Sequence, residues 1–219
     1  MEIKIVRQIL QWNEDCNDEL KSIFEEKKIF VINIMGSPGA GKTSFIINII
    51  NSLRNKYSIA VIEGDIAGKI DAEKIDAMGI PVVQLNTDGA CHIEAMSIKN
   101  IIKEFNLDNI DVIIVENIGN LVCPAEFNIG EDIKVALLSI PEGDDKVVKY
   151  PLMFINSHCL VINKYDMMNY FNFNYERVKK DAMEMNPCIN IFPVSSITGS
   201  GSGEFVSWLE EIINKKLKM

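Results

Sequence analysis

Short apolar runs alternate with segments of helical period along this chain. The runs IFVINIM (29–35), IAVIE (59–63), VVQL (82–85), DVIIVE (111–116), KVALLSI (134–140), LVIN (160–163) and INIFPV (189–194) are almost continuously apolar and rich in β-branched residues. That pattern predicts strands covered on both faces. Between them, 43–53, 71–77, 93–105, 175–185 and 203–215 repeat apolar residues at spacings of three and four, which predicts amphipathic helices. Strands alternating with helices predict an α/β fold, a mostly parallel sheet with helices on both faces. Residues 1–28, with Ile9, Leu10, Leu20, Ile23 and Phe24, predict an amphipathic helical segment packed on the core as a structural appendage. With 219 residues, 47% of them hydrophobic, and no repeat or long linker, residues 1–219 are expected to form a single domain.

Charge narrows the range of partners. A formal net charge of −9 repels phosphate backbones and anionic headgroups, which argues against nucleic acid and membrane surfaces. Any phosphate must be captured locally. The start MEIKIVRQIL lacks a long apolar core, and no stretch approaches the roughly 18 apolar residues of a membrane span, so a cytoplasmic protein is expected. The five cysteines, Cys16, Cys91, Cys123, Cys159 and Cys188, form no CxxC pair. They are too sparse for a disulfide scaffold, so reduced thiols are expected, some of them free to bind metal.

The first core strand runs into Gly36-Ser37-Pro38-Gly39-Ala40-Gly41-Lys42-Thr43, with Ser44 following. This fits G-x-x-x-x-G-K-[ST] between a strand and a helix, the P-loop context. A Gly-rich backbone can curl until its N–H groups face phosphate oxygens, and the next helix adds its positive end. Lys42 is expected at the β and γ phosphates and Thr43 at Mg²⁺.

Far downstream, the strand ending at 162 leads into Asn163-Lys164-Tyr165-Asp166, which matches the NKxD guanine motif. An aspartate carboxylate accepts two bonds from guanine N1–H and its exocyclic amine, a donor pair adenine lacks. Ser195-Ser196-Ile197-Thr198-Gly199, after the last strand, resembles the loop that touches the base in GTPases, with Ser195 as a contact. Carboxylates for Mg²⁺ are sought where parallel strands end. The candidates are Glu116, closing DVIIVE, together with Asp71 or Asp65.

GSPGAGKT, EGD followed by DAEKI, LNTDGACH, ENIGNLVCPAEF, PEGDDK and NKYD occur in that order, and from about residue 3 to the end the chain resembles the HypB family of nickel-insertion GTPases. ACH and NLVCPAEF are the discriminating segments. The resemblance implies a GTPase of the SIMIBI class that works with a partner nickel metallochaperone to supply the large subunit of [NiFe]-hydrogenase. It also implies GTP-dependent homodimerisation, with Cys91, His92 and Cys123 in a Ni²⁺ or Zn²⁺ site at the dimer interface. Thiolates and imidazole are suitable ligands for both ions. Adjacent Cys91 and His92 diverge on a regular element, so a turn or a second subunit is needed to bring them to Cys123. Without the resemblance, the same residues read as ordinary buried cysteines and a helix-cap histidine. Many family members carry an N-terminal Cys-rich or His-rich tract; here Cys16 alone precedes the P-loop and His92 and His158 are the only histidines, which argues against nickel storage. His158 and Cys159 are read as structural. The competing readings are a GTPase serving another metalloenzyme such as urease, a small-molecule kinase, and a metal carrier with structural nucleotide.

Overall fold

The β-branched runs pair into one parallel sheet. Its strands are β1 (Phe30–Gly36), β2 (Ile59–Asp65), β3 (Val82–Asn86), β4 (Val112–Glu116), β5 (Ile133–Ser139), β6 (Cys159–Asn163) and β7 (Asn190–Pro193), in the order β3-β2-β4-β1-β5-β6-β7. Every pairing is parallel, so all seven carboxyl ends lie on one edge, where open α/β sheets take their ligands. The computed structural model describes residues 2–65, 70–87 and 89–218, except the side chains of 2–9 and of Asp65. Among the described residues, no helix is long and apolar enough to cross a membrane.

Helices cover both faces, as the near-continuous apolar character of the strands requires. On one face α2 (Lys42–Leu53), α3 (Ile70–Asp76) and α9 (Ser202–Leu217) bury Phe45, Ile49, Ile75, Phe205 and Leu209 against Ile32, Ile34, Val61, Ile114 and Val161. On the other face, α1 (Glu2–Glu26) and α4 (Ala95–Ile101) lay Leu20, Phe24 and Ile98 on Val31, Ile62, Ile113 and Val115. The same face continues with α5 (Cys123–Glu126), α7 (Pro151–Ile155) and α8 (Tyr175–Met185), which pack Ala125, Phe154 and Val178 on Met35, Leu138 and Ile162. Odd and even positions of β1 thus serve opposite cores, the period of two expected of a strand.

Three local features differ from the sequence reading or were missing from it. The helix predicted over 93–105 is α-helical only at Ala95–Ile101 and tightens into a 3₁₀ turn at Ile102–Glu104. A 3₁₀ turn keeps a spacing of three, so the apolar period survives the change. The stretch between β5 and β6 folds into a 3₁₀ turn, then α6 (Lys146–Lys149) and α7, each too short to show a helical period. Within β5, Lys134 is buried with Glu131 at 3.4 Å. Taking both charges from water costs several kcal/mol each. Ile129 N donates to Glu131 Oε2 at 2.6 Å, and Lys134 Nζ reaches Ala125 O at 3.4 Å, which offsets part of that cost.

Candidate functional site

Gly36 closes β1 so tightly against β5 that a Cβ there would sit 2.5 Å from Leu137 O. The chain then turns through Gly39 (φ 76°) and Gly41 (φ 94°), left-handed conformations that glycine adopts without steric cost. At Gly41 a Cβ would also meet Asn163 Nδ2 at 2.6 Å. The helix α2 starts immediately after this turn, so the curled backbone and the positive helix end face the same space. This space is a cleft of about 500 Å³ lined by Pro38, Gly39, Gly41, Lys42, Thr43 and Ser44 on one side and Glu63, Asp71, Glu116 and Lys164 on the others. Lys42 is 8% exposed. Its Nζ donates to Ser37 O at 3.4 Å and lies 4.0 Å from Glu116 Oε1.

Two of the carboxylates named from sequence converge on one hydroxyl. Thr43 Oγ1 lies 3.1 Å from Asp71 Oδ2 and 3.1 Å from Glu116 Oε1. The third, Asp65, ends β2, and its side chain lies outside the described residues. Thr43, Asp71 and Glu116 form an all-oxygen donor set beside a phosphate-sized cradle, the chemistry that suits Mg²⁺. Asp71 also accepts from Lys74 Nζ at 2.6 Å. Glu63, from the EGD segment, and Lys74, from DAEKI, also belong to this wall; no sequence motif assigned Lys74 a role of its own.

The NKxD end of the site is tied to the cradle by side chains. Asn163 Nδ2 donates to Ala40 O at 2.9 Å, and its Oδ1 accepts from Ser196 N at 3.1 Å and Ser196 Oγ at 2.8 Å. Lys164 is held at φ 56°, a costly conformation for a residue with a Cβ, and its Nζ donates to Gly39 O at 2.6 Å. Ser195 Oγ donates to Asp166 Oδ1 at 2.5 Å, orienting an exposed carboxylate. Asn48 of α2 donates to Ser196 O at 2.7 Å. The three motifs, distant in sequence, therefore meet in one hydrogen-bonded unit.

Cys91, His92 and Cys123 come together within a single chain, their donor atoms all within 4.8 Å of one another. Of the two routes the sequence left open, a turn or a second subunit, the chain itself supplies a bend at residues 91–92. Cys91 Sγ donates to Cys123 Sγ at 2.9 Å and lies 3.6 Å from His92 Nδ1. His92 stacks on Phe127 with ring centroids 3.8 Å apart, and its Nε2 is 3.7 Å from Glu94 Oε1. Burial lowers the His92 pKa below the ordinary imidazole range, which favours the neutral, ligating ring. The hydrogen bond with Cys91, then burial, raises the Cys123 thiol. The reading as buried cysteines with a helix-cap histidine does not hold, since Cys91 is exposed, Cys123 half-buried, and α4 is preceded by Glu94. By contrast Cys16 and Cys159 are buried, and His158 Nδ1 accepts from Lys134 N at 3.0 Å.

One segment touches both sites. From Glu116 the chain passes Gly119, where a Cβ would sit 2.8 Å from Pro38 Cγ, then Asn120, whose N–H donates to Gly36 O at 3.1 Å. Asn120 Nδ2 reaches Cys91 O at 3.4 Å, and Cys123 follows at the start of α5.

Residues 30–193 match the family described as CobW/HypB/UreG, nucleotide-binding domain. The chain is 39% identical over 202 residues to the hydrogenase maturation factor HypB of Escherichia coli (strain K12), covering 92% of this chain and 70% of that protein. It is 38% identical over 214 residues to the hydrogenase/urease maturation factor HypB of Helicobacter pylori (strain J99), covering 96% of this chain and 88% of the relative. The crystal structure of HypB from Helicobacter pylori in complex with nickel superposes with a TM-score of 0.87 at 36% identity, covering 94% of this chain and 96% of that one.

Proposed function

The chain belongs to the CobW/HypB/UreG family and, within it, to the HypB hydrogenase maturation factors, and from that premise we propose that it is one GTPase domain whose cycle governs delivery of nickel to the large subunit of a [NiFe]-hydrogenase. GTP is hydrolysed to GDP and phosphate in the P-loop cleft. In this reading the P-loop amides and Lys42 hold the phosphates, Asp166 and Asn163 select guanine, and Ser195 orients Asp166. Mg²⁺ held by Thr43, Asp71 and Glu116 supplies charge neutralisation at the phosphates when bound. Lys42, already within 4.0 Å of Glu116, adds a positive charge where negative charge accumulates during transfer.

Nickel is the cargo, held by Cys91, His92 and Cys123, with Zn²⁺ an alternative occupant of the same soft donors. One chain supplies three donors, and the GTP-bound homodimer brings a second set. A partner metallochaperone and the hydrogenase precursor stand on either side of the transfer. The observation that carries this reading is the segment from Glu116 to Cys123, which touches the P-loop at Pro38 and Gly36 and the thiol cluster at Cys91 and Cys123. The test is titration with Ni²⁺ in the presence of GDP and of a non-hydrolysable GTP analogue, read with the mass in solution. Tighter nickel binding by a GTP-analogue dimer is expected; identical affinity and mass in both states would remove the link between cycle and cargo.

A second destination is urease, favoured by the hydrogenase/urease name of the Helicobacter pylori relative. Nickel-loaded protein offered separately to apo-hydrogenase large subunit and apo-urease distinguishes the two.

A further inference from the structure

The three donors of the thiol and imidazole cluster stand on short, irregular pieces of chain. Cys91 and His92 occupy a bend, and Cys123 opens the four-residue helix α5. Neither piece is long enough to fix its own place. The side chain of Asn13 on α1, 6% exposed, bonds to both sides. Its Oδ1 accepts from Ala95 N at 2.8 Å, and its Nδ2 donates to Asn128 O at 2.7 Å. Ala95 is the first residue of α4, and its N-cap residue Glu94 makes no side-chain cap bond. The Ala95 amide is therefore one of those a helix start leaves unpaired, and Asn13 supplies its cap from another helix. Asn128 follows Phe127, the ring on which His92 stacks. One amide group thus joins the segment of Cys91 and His92 to the segment of Cys123. Its neighbours on α1 hold the second segment too. Glu14 Oε1 accepts from Asn128 Nδ2 at 3.0 Å, and Asn17 Oδ1 accepts from Gly130 N at 2.8 Å.

We infer that Asn13 is a positioning residue of the metal site, setting the separation between the Cys91–His92 bend and the Cys123–Phe127 turn. The inference rests on the reading of Cys91, His92 and Cys123 as the nickel-holding group. An amide is suited to this role because it carries a donor and an acceptor side by side; Asp has no donor at neutral pH and Leu has neither. In N13D the bond from Ala95 N survives while a carboxylate faces the Asn128 carbonyl. In N13L both bonds are lost at similar volume. On this inference α1 is more than the structural appendage suggested by its sequence.

The experiment compares the full-length protein with N13D, N13L and L20A. Leu20 is a buried apolar residue of the same helix, so its truncation loosens α1 by packing alone. Ni²⁺ affinity is read by competition with a chromophoric chelator. Coordination geometry is read from the ligand-field and thiolate charge-transfer bands of the Co²⁺-loaded protein. The separation of Cys91 and Cys123 is read without metal, from the rate at which a short dithiol-bridging reagent joins them, located by peptide mass mapping. N13D and N13L are expected to weaken Ni²⁺ binding about tenfold, near the worth of one such buried bond, to change the Co²⁺ bands and to slow bridging. L20A is expected to lower the melting temperature and leave all three within twofold. Unchanged Co²⁺ bands and bridging rate in N13L, or equal losses in L20A, overturn the inference. If the wild-type protein holds neither Ni²⁺ nor Co²⁺ through Cys91 and Cys123, the nickel reading falls, and the bridging rate still decides whether Asn13 sets the spacing.

Discussion

Asn163 donates from Nδ2 to Ala40 O at 2.9 Å, so the residue that opens the guanine motif is bonded to the backbone of the P-loop. Its Oδ1 takes two bonds from Ser196, and the side chain is almost wholly buried. One amide therefore ties the NKxD segment and the Ser195–Gly199 loop to the P-loop. Asn163→Ala removes three bonds and leaves the buried Ala40 carbonyl unpaired, a loss of roughly 2–3 kcal/mol in stability. Chemical denaturation is expected to show a lower midpoint, and titration with a fluorescent GTP analogue a weaker affinity. An unchanged midpoint with unchanged affinity would mean that the three motifs are held together by other contacts.

Asp166 tests selectivity apart from folding, because its carboxylate is exposed and accepts a bond from Ser195. In Asp166→Asn an N–H₂ group faces the donors of guanine in place of an acceptor. GTP affinity is expected to fall about a hundredfold, while the melting temperature stays close to that of the wild type. Xanthosine triphosphate, which presents a carbonyl where guanine has its amine, is expected to bind the variant better than GTP does. Equal binding of ATP and GTP by the unaltered protein would show that the base is not read here.

Lys42 is buried between the P-loop carbonyl of Ser37 and Glu116, and the little surface it keeps lines the cleft. Lys42→Ala is expected to cut GTP turnover at least about a hundredfold, the scale of a lost preorganised positive charge, in a domain that still folds. Phosphate release at saturating GTP, with circular dichroism as the control for folding, measures both. Full turnover in a folded variant would move the chemistry out of this cleft.

Much of this architecture was legible because local and long-range requirements coincide. A strand such as β4 is apolar from Val112 to Val115, up to the carboxylate that ends it, since helices cover both faces, and the P-loop must follow such a strand to present its amides. The reach of the cluster was not legible. Cys91 and His92 are adjacent and Cys123 lies on another loop, so their meeting depends on a bend that leaves no periodic signal. The pairing of Glu131 with Lys134 left no signal in the sequence, since their side chains are also held by Asn33 and Ala125, contributed by other elements. Asn13 resembles any polar position on an amphipathic helix; only the fold shows that α4 begins without a cap of its own and that Asn13 stands opposite it.

The placement of Cys123 downstream of Glu116 makes a quantitative statement about the cycle. If the γ-phosphate draws Glu116 and Gly119 toward the P-loop, Asn120 and Cys123 move with them, and the cluster changes shape with the nucleotide. Coupling between binding sites is reciprocal and commonly amounts to about 1–3 kcal/mol, or roughly 5- to 150-fold in affinity. Ni²⁺ is therefore expected to tighten the GTP-analogue form by the same factor by which the analogue tightens Ni²⁺. Cys91→Ala and Cys123→Ala are each expected to abolish that factor while leaving nucleotide affinity of the metal-free monomer within about twofold, since neither residue lines the cleft. Calorimetric titration of both ligands, in both orders of addition, measures the two factors independently. Two factors that are both close to one would leave a GTPase and a metal site that share a chain without communicating. A factor that persists in Cys123→Ala would place the communicating metal elsewhere.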